Sequence, residues 1–148
     1  MITPTFFDTI NYAICRAVYA RLGAEAKDFF QEVGEYHLQE AIDRGLVTLD
    51  PTATPLDVLI HIACYLEATG YMERITVHKL SETEAIVEMW GVSVSVSSAK
   101  LLSDAMYPSH FMTNAMFAAL KRLGVQADLQ DMEYDVATAH FKEYWKIL

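Results

Sequence analysis

The sequence predicts an α+β protein in which N-terminal helices pack with an antiparallel sheet. Two observations lead to this fold class. Over roughly the first 70 positions, apolar residues recur at spacings of three and four, as they do on amphipathic helices. From residue 71 onward, strand-like alternation flanks one methionine-rich helical segment, in the order strand-strand-helix-strand-strand. We therefore expect a single domain over 1–148, with a helical half (1–70) and a sheet-plus-helix half (71–148).

The helical half contains three predicted helices. The first begins at Thr3-Pro4, because a threonine hydroxyl caps a helix and proline at the first position loses no hydrogen bond. It ends at Gly23. The second spans about 24–44, where Gly34 indicates either a weaker helix or close contact with another helix. The third opens at Thr54-Pro55 and is apolar nearly all round, so we expect it to be central.

The second half alternates between strand and helix signals. Alternating residues predict two strands, which are joined by a short polar hairpin at Ser81-Glu82-Thr83. The second of these strands reaches about Val96. The elements predicted in this half are strands at about 74–80 and 84–96, a short helical turn at 101–107, a helix at 109–123, and a final hairpin with strands at about 125–132 and 136–145.

Composition and charge exclude several classes of partner. The net charge of −9 argues against nucleic acid, because phosphate binding requires a basic surface, and it disfavours anionic membranes. Apolar stretches are interrupted by charge well short of the ~20 residues that a membrane span needs. The N-terminal residues lack the basic start of a signal peptide, so we expect a cytoplasmic protein.

The two cysteines, Cys15 and Cys64, lie among apolar helical neighbours, which predicts free buried thiols rather than a disulfide. Two lone cysteines also build no paired-cysteine zinc motif. His61 shares a helical face with Asp57 and Cys64. A hydrogen bond between Asp57 and His61 explains this spacing more simply than a metal site does.

Other polar residues have surface interpretations. We expect His37, on a glutamate-rich helix, and His78, on an edge-like strand, to be solvated. Asp131, Glu133 and Asp135 alternate near the last hairpin. They either bind a hard cation or mark a charged hairpin tip, and the second interpretation is the more common one. We assign no metal ligand.

The richest apolar cluster combines methionine and aromatic residues from a strand and the helix at 109–123. Methionine is flexible and polarisable, so such a cluster either fills a core or lines an adaptable pocket. Trp90 is the best candidate for a pocket wall because its indole N–H needs a partner. His110, at the first turn of the helix, is either a polar anchor for a ligand or a surface residue. The candidate ligand-binding residues are Trp90, Met89, His110, Phe111, Met112 and Met116.

Three functions remain open. The first is a non-enzymatic binding protein, a sensor or carrier for a small apolar or aromatic molecule, with no cofactor assigned. The second is a small enzyme of reductase or hydrolase type, with acid–base residues from His110, Glu88 and Asp131. No nucleophile elbow or glycine-rich phosphate loop supports it. The third is a homodimeric interaction scaffold. In either non-enzymatic case we expect a homodimer through the N-terminal helices, which buries Phe6, Phe7, Ile10 and Ile14.

The layout resembles the four-vinyl-reductase domain, also called the hydrocarbon-binding domain, which is related in fold to the TRAPP vesicle-tethering subunits. The resemblance covers about residues 22–145. It is carried by Leu22-Gly23, Phe30-Gln31-Glu32-Val33-Gly34, Pro55-Leu56-Asp57-Val58-Leu59, Thr69-Gly70-Tyr71, Val87-Glu88-Met89-Trp90 and Pro108-Ser109-His110-Phe111.

This resemblance implies a small-molecule sensor or carrier that dimerises through its N-terminal helices. In family members that sense aromatic molecules, a tryptophan of the long strand contacts the ligand, and Trp90 falls at the similar place. Those members also hold a structural zinc ion through cysteines near the last helix and hairpin. In this chain His110 and Asp131 stand near two of the ligand positions, whereas Tyr134 and Lys142 stand where later cysteines would be expected. The resemblance therefore implies that the zinc site is lost.

Overall fold

The computed structural model describes residues 2–148 and shows the α+β architecture that the sequence predicts. The helices are α1 (Pro4–Leu22), α2 (Ala26–Asp43), α3 (Pro55–Ala68), α4 (Ser95–Ser103) and α5 (Phe111–Arg122), with a 3₁₀ turn at Gly23–Glu25. The strands are β1 (Arg74–Lys79), β2 (Glu84–Trp90), β3 (Ala127–Asp135) and β4 (His140–Ile147).

Side-chain caps begin two of the helices where the sequence predicts them. The Thr3 hydroxyl accepts a hydrogen bond from the backbone N–H of Phe6 (3.2 Å), and the Thr54 hydroxyl accepts one from Asp57 (3.3 Å). Each cap satisfies a donor that the first helical turn leaves without a partner. Helix α3 is buried against β1 and α5, as its apolar composition predicts.

The four strands form one antiparallel sheet in the order β1-β2-β4-β3. Val87 and Met89 of β2 point into the core under the helices, together with Phe141 and Trp145 of β4. Because side chains alternate along a strand, the residues between them point to the opposite face, where they are half-buried or exposed. We call this second surface the outer sheet face.

The prediction that the second strand reaches Val96 is wrong. Strand β2 ends at Trp90, because Gly91 adopts a φ of +65° and turns the chain away from the sheet. The valine–serine alternation that follows belongs to a turn and to α4, whose small serines pack closely against α1. There, the Asn11 amide donates a hydrogen bond to the Ser97 hydroxyl (2.8 Å). Only the first part of the turn predicted at 101–107 is helical, because α4 ends at Ser103.

Of the two interpretations of Gly34, a weaker helix or a close helix contact, the structure supports the close contact. A Cβ atom at this position would lie 2.6 Å from the backbone C and O atoms of Asn114. The absence of a side chain therefore lets α2 lie directly on α5. This contact fixes one wall of the cleft described below.

Two other predictions for the helices need correction. Cys15 is buried as expected, but Cys64 is exposed, and both are free thiols. Asp57 binds Lys79 (2.6 Å) and Thr54 rather than His61, which is exposed.

His37 is half-buried rather than solvated, and its Nε2 atom lies 2.9 Å from the hydroxyl of Tyr65. None of the helices within residues 2–148 combines the length and the apolar composition that crossing a bilayer would require.

Candidate functional site

A cleft of about 670 Å³ lies between α2, α5 and the start of β3. Its α2 side includes Gln31 and Glu35, and its α5 side runs from His110 to Lys121. The third side is formed by β3, the segment before it and Leu148. The cleft is therefore bounded by the two helices that Gly34 holds together and by an edge strand of the sheet.

Helix α5 presents two different faces, and only one of them lines the cleft. His110, Thr113, Asn114 and Phe117 recur at helical spacing and face the cleft. Met112 and Met116, among others, face the sheet and are buried in the main core. The methionine pattern predicts only the core face of α5, although the polar residues of the cleft face recur at the same spacing of three and four.

His110 occupies the position that immediately precedes α5, with a left-handed backbone conformation (φ +44°, ψ +43°). Histidine is one of the side chains that tolerate this conformation best. Its ring meets the ring of Tyr107 edge-on, with centroids 5.2 Å apart. Burial lowers the pKa of His110 to about 4, so the imidazole is neutral at pH 7 and offers both a donor and an acceptor.

Asn114 is a buried side chain with one atom left unpaired. It is 1% exposed and lines the cleft. Its Nδ2 atom donates a hydrogen bond to the carbonyl of Ser109 (2.9 Å), whereas its Oδ1 atom accepts none. Within residues 2–148 only one other buried side-chain oxygen or nitrogen lacks a partner, the Ser93 hydroxyl, which lies outside the cleft. Buried polar atoms of this kind are rare, so Oδ1 is a candidate contact for a ligand.

A buried carboxyl group lies directly behind the cleft. Glu143 is 1% exposed and accepts hydrogen bonds from the Thr113 hydroxyl and from the indole N–H of Trp145 (2.9 Å). No ion pair to Glu143 is formed within residues 2–148. Burial raises the pKa of this carboxyl group above its usual value. The sequence does not indicate a role for Glu143, because this residue lies among the alternating residues of a strand and nothing there signals its burial.

The structure brings few of the six predicted ligand-binding residues together. His110 lines the cleft, whereas Met89, Met112 and Met116 fill the core. Phe111 is half-buried and packs edge-on against Phe30, with ring centroids 6.1 Å apart.

Trp90 lies on the outer sheet face. The predicted pocket combines Trp90 with Met89, but neighbouring residues of a strand point to opposite faces. That grouping is therefore corrected.

Trp90 belongs to a polar and aromatic cluster on the outer sheet face. The guanidinium group of Arg74 lies 4.0 Å from the centroid of the indole, and the ring of His140 stacks on it at 5.3 Å. His140 and His78 approach the two oxygens of Glu88 at 3.0 and 3.5 Å, respectively. The Glu88 oxygens and the Trp90 ring therefore have partners within the chain.

The acid–base set considered for an enzyme is not assembled. His110 lies beside the helices, while Glu88 and Asp131 lie on the outer sheet face, on β2 and β3. Asp131, Glu133 and Asp135 are exposed along β3. Within residues 2–148 no group of three histidine, cysteine or carboxylate side chains is placed to hold a metal ion.

Comparison with models of known protein families finds no match, and comparison with curated proteins finds none either. Among solved structures, the chain is similar to one from work that probes the function of heme distortion in the H-NOX family. The TM-score is 0.50 and the identity is 9%, over 87% of this chain and 65% of that chain. The chain thus spans about two-thirds of the length of that neighbour. At this identity, the likeness shows that the two chains share an α+β fold.

Proposed function

We propose that this chain is a non-enzymatic, cytoplasmic binding protein, a single-domain sensor or carrier of the kind found among hydrocarbon-binding domains. Its ligand is a small molecule with a planar apolar body and a polar end, which binds in the cleft between α2, α5 and β3. The observation that carries the proposal is the cleft itself, with neutral His110 and unpaired Asn114 side by side in its wall.

The size and the walls of the cleft suit such a ligand. A volume of about 670 Å³ lies within the ~300–1,000 Å³ that is typical of small-molecule sites. Phe117 supplies an aromatic surface, and Val125 and Leu129 add aliphatic ones. His110 is the polar anchor in this proposal. The methionine-rich face of α5 supports the cleft from behind, because it packs the helix against the sheet.

Haem, which the work on the structural neighbour concerns, fits the cleft only in part. His110 supplies a neutral imidazole, as iron ligation requires. However, Lys27, Glu35, Lys121 and Asp128 place charges along the walls where a porphyrin needs a broad apolar slot. We therefore propose a ligand smaller than a porphyrin.

Calorimetric titration with simple bicyclic aromatics, such as indole, tests the proposal. We expect saturable binding that weakens by about 2- to 12-fold in His110→Asn, the range that the loss of one hydrogen bond produces. Asparagine also tolerates the left-handed backbone conformation. The matched control is His61→Asn, because His61 is exposed and does not line this cleft.

Haem serves as a second probe in the same experiment. Addition of haem should produce no sharp Soret band of a ligated iron. No binding of any bicyclic aromatic, or a stoichiometric haem complex, would contradict the proposal.

We also propose that two copies of the chain pair through α1. Phe6, Ile10 and Ile14 follow one another at intervals of four, so they share one stripe of the helix, and they are 57%, 40% and 43% exposed. An exposed apolar stripe of this kind is typical of a surface that another molecule covers. Phe7 lies outside the stripe, because it packs edge-on against Tyr71 within the chain.

Sedimentation velocity at micromolar concentration tests the pairing. The wild-type protein should sediment at twice the chain mass of 16.7 kDa, and Ile10→Glu should sediment as a monomer. The control variant Thr9→Glu changes an exposed neighbour outside the stripe and should remain dimeric. A monomeric wild-type protein would refute the proposal.

A further inference from the structure

We infer that the cleft selects planar ring ligands that carry an uncharged hydrogen-bond donor, an N–H or O–H group, and that the Oδ1 atom of Asn114 accepts this hydrogen bond. The inference rests on the proposed function, since it specifies the chemistry of the ligand in the same cleft. It makes Asn114 the residue that determines specificity.

The orientation of the Asn114 amide follows from its neighbours. The carbonyl of Ser109 is an acceptor only, so the atom that faces it at 2.9 Å must be the amide nitrogen. The other end of the amide is then an oxygen. Gly34 lies so close to Asn114 that even a Cβ atom there would lie 2.7 Å from the Asn114 Cβ, which leaves the side chain little freedom to turn. The acceptor is thus fixed in place before a ligand arrives.

The Oδ1 atom accepts no hydrogen bond within the described chain. The Tyr107 hydroxyl lies close to the same amide, because the Asn114 side chain opposes the rise that burial causes in the pKa of Tyr107, so a ligand competes with Tyr107 for this position. The nearby Thr113 hydroxyl donates to Glu143. The Lys121 ammonium group, at the rim of the cleft, pairs with Glu35. A buried acceptor without a partner loses its bond to water and gains nothing in return, so a ligand that donates to it is favoured over one that does not.

The surroundings of this acceptor favour a neutral ring over a charged group. Asn114 carries no charge, and its buried position makes desolvation of an ammonium group costly. Phe117 and Tyr107 line the same cleft and offer aromatic surface against which a ring can pack. Indoles and phenols combine a ring of this size with one N–H or O–H donor.

A pair of matched ligands tests the inference on the wild-type protein. Indole and 1-benzofuran have nearly the same size and shape, but the ring oxygen of 1-benzofuran replaces the N–H donor of indole. By calorimetry, indole should bind about 2- to 12-fold more tightly than 1-benzofuran, as expected for one hydrogen bond. In Asn114→Leu, which removes the acceptor at similar size, the two affinities should become equal. In the control Gln130→Leu, which changes an exposed polar residue of β3 outside the cleft, the preference should persist.

The outcomes separate this inference from the proposed function. Equal binding of the two ligands to the wild-type protein overturns the inference and leaves the proposed function standing. A preference for indole that survives in a folded Asn114→Leu protein also overturns it. If neither ligand binds up to its solubility limit, both the proposed function and the inference fail. Circular dichroism establishes whether Asn114→Leu folds, and if it does not, the wild-type ligand pair decides the question alone.

Discussion

The cleft side of α5 and the outer sheet face contain similar side chains but differ in how completely those side chains are paired. Each combines imidazole, aromatic and hydrogen-bonding groups. On the outer sheet face, both oxygens of Glu88 have a histidine partner, and Trp90 is covered by a cation and a ring. In the cleft, Asn114 keeps an unpaired acceptor.

This difference separates a structural role from a binding role. A polar cluster whose members satisfy one another stabilises the sheet and has little capacity left for a ligand. A buried cluster with an unpaired atom next to open volume has that capacity. Residue types alone, which are what a sequence displays, do not distinguish the two cases.

The largest effect on stability is expected from Gly34→Ala, which disturbs the packing on the cleft side of the molecule and leaves the outer sheet face unchanged. The new methyl group would meet backbone atoms of Asn114 at 2.6 Å, and backbone cannot move aside as a flexible side chain can. We expect a loss of about 1–3 kcal/mol in the free energy of unfolding, measured by urea denaturation, because overpacking forces α2 away from α5. The control Glu32→Ala, at an exposed position of the same helix, should change the free energy of unfolding by less than about 0.5 kcal/mol. If Gly34→Ala were as stable as the wild-type protein, this result would contradict the close packing of α2 on α5 at Gly34.

A smaller effect is expected from Glu143→Gln, which should change how the stability of the protein depends on pH. Because burial raises the pKa of Glu143 in the folded protein, the native state holds this proton at pH values where the unfolded chain has released it. The contribution of the protonated group to stability is therefore full below its unfolded pKa of about 4.3 and is lost as the pH rises through the folded pKa. Glutamine resembles the neutral acid but does not titrate, so the stability of the variant should not decrease in this way as the pH rises.

Thermal unfolding of both proteins across pH 4–9 measures the effect of Glu143→Gln. Relative to wild type, the variant should gain stability as the pH rises. Parallel pH profiles for the two proteins would show that Glu143 is not the titrating group.

The smallest effect is expected from Trp90→Phe. The change weakens the stacking with Arg74 and His140, and exposed cation–π contacts contribute about 0.5–1 kcal/mol. Indole affinity should stay the same, because Trp90 lies on the face opposite the helices. Phe117→Leu is the matched change in the cleft and should weaken indole binding. A loss of indole affinity in Trp90→Phe would show that the ligand binds at the outer sheet face rather than in the cleft.

Much of the fold was predictable because it depends on local signals. Thr3-Pro4 and Thr54-Pro55 start helices through their own side chains, and the alternation in β4 reflects one buried face. The end of β2 was missed because the valine–serine pattern after Gly91 also suits a helix that packs through small residues.

The cleft was harder to predict because it depends on contacts between distant segments. His110 was found from its place at a helix start, but the unpaired state of Asn114 depends on Ser109 and on the close approach of Gly34. The burial of Glu143 depends likewise on α5 lying over β4, where Thr113 contacts it. Such environments follow from the packing of whole elements, and no residue pattern within a single segment encodes them.

The most direct test of the binding role of the cleft is a titration of the wild-type protein with indole, followed by amide chemical shifts in two-dimensional NMR. We expect progressive shifts of the amide signals of Thr113, Asn114 and Phe117 and of Gln31 across the cleft, with no shifts at Trp90 or His140. Shifts confined to the outer sheet face, or none at saturating indole, would contradict the binding role of the cleft.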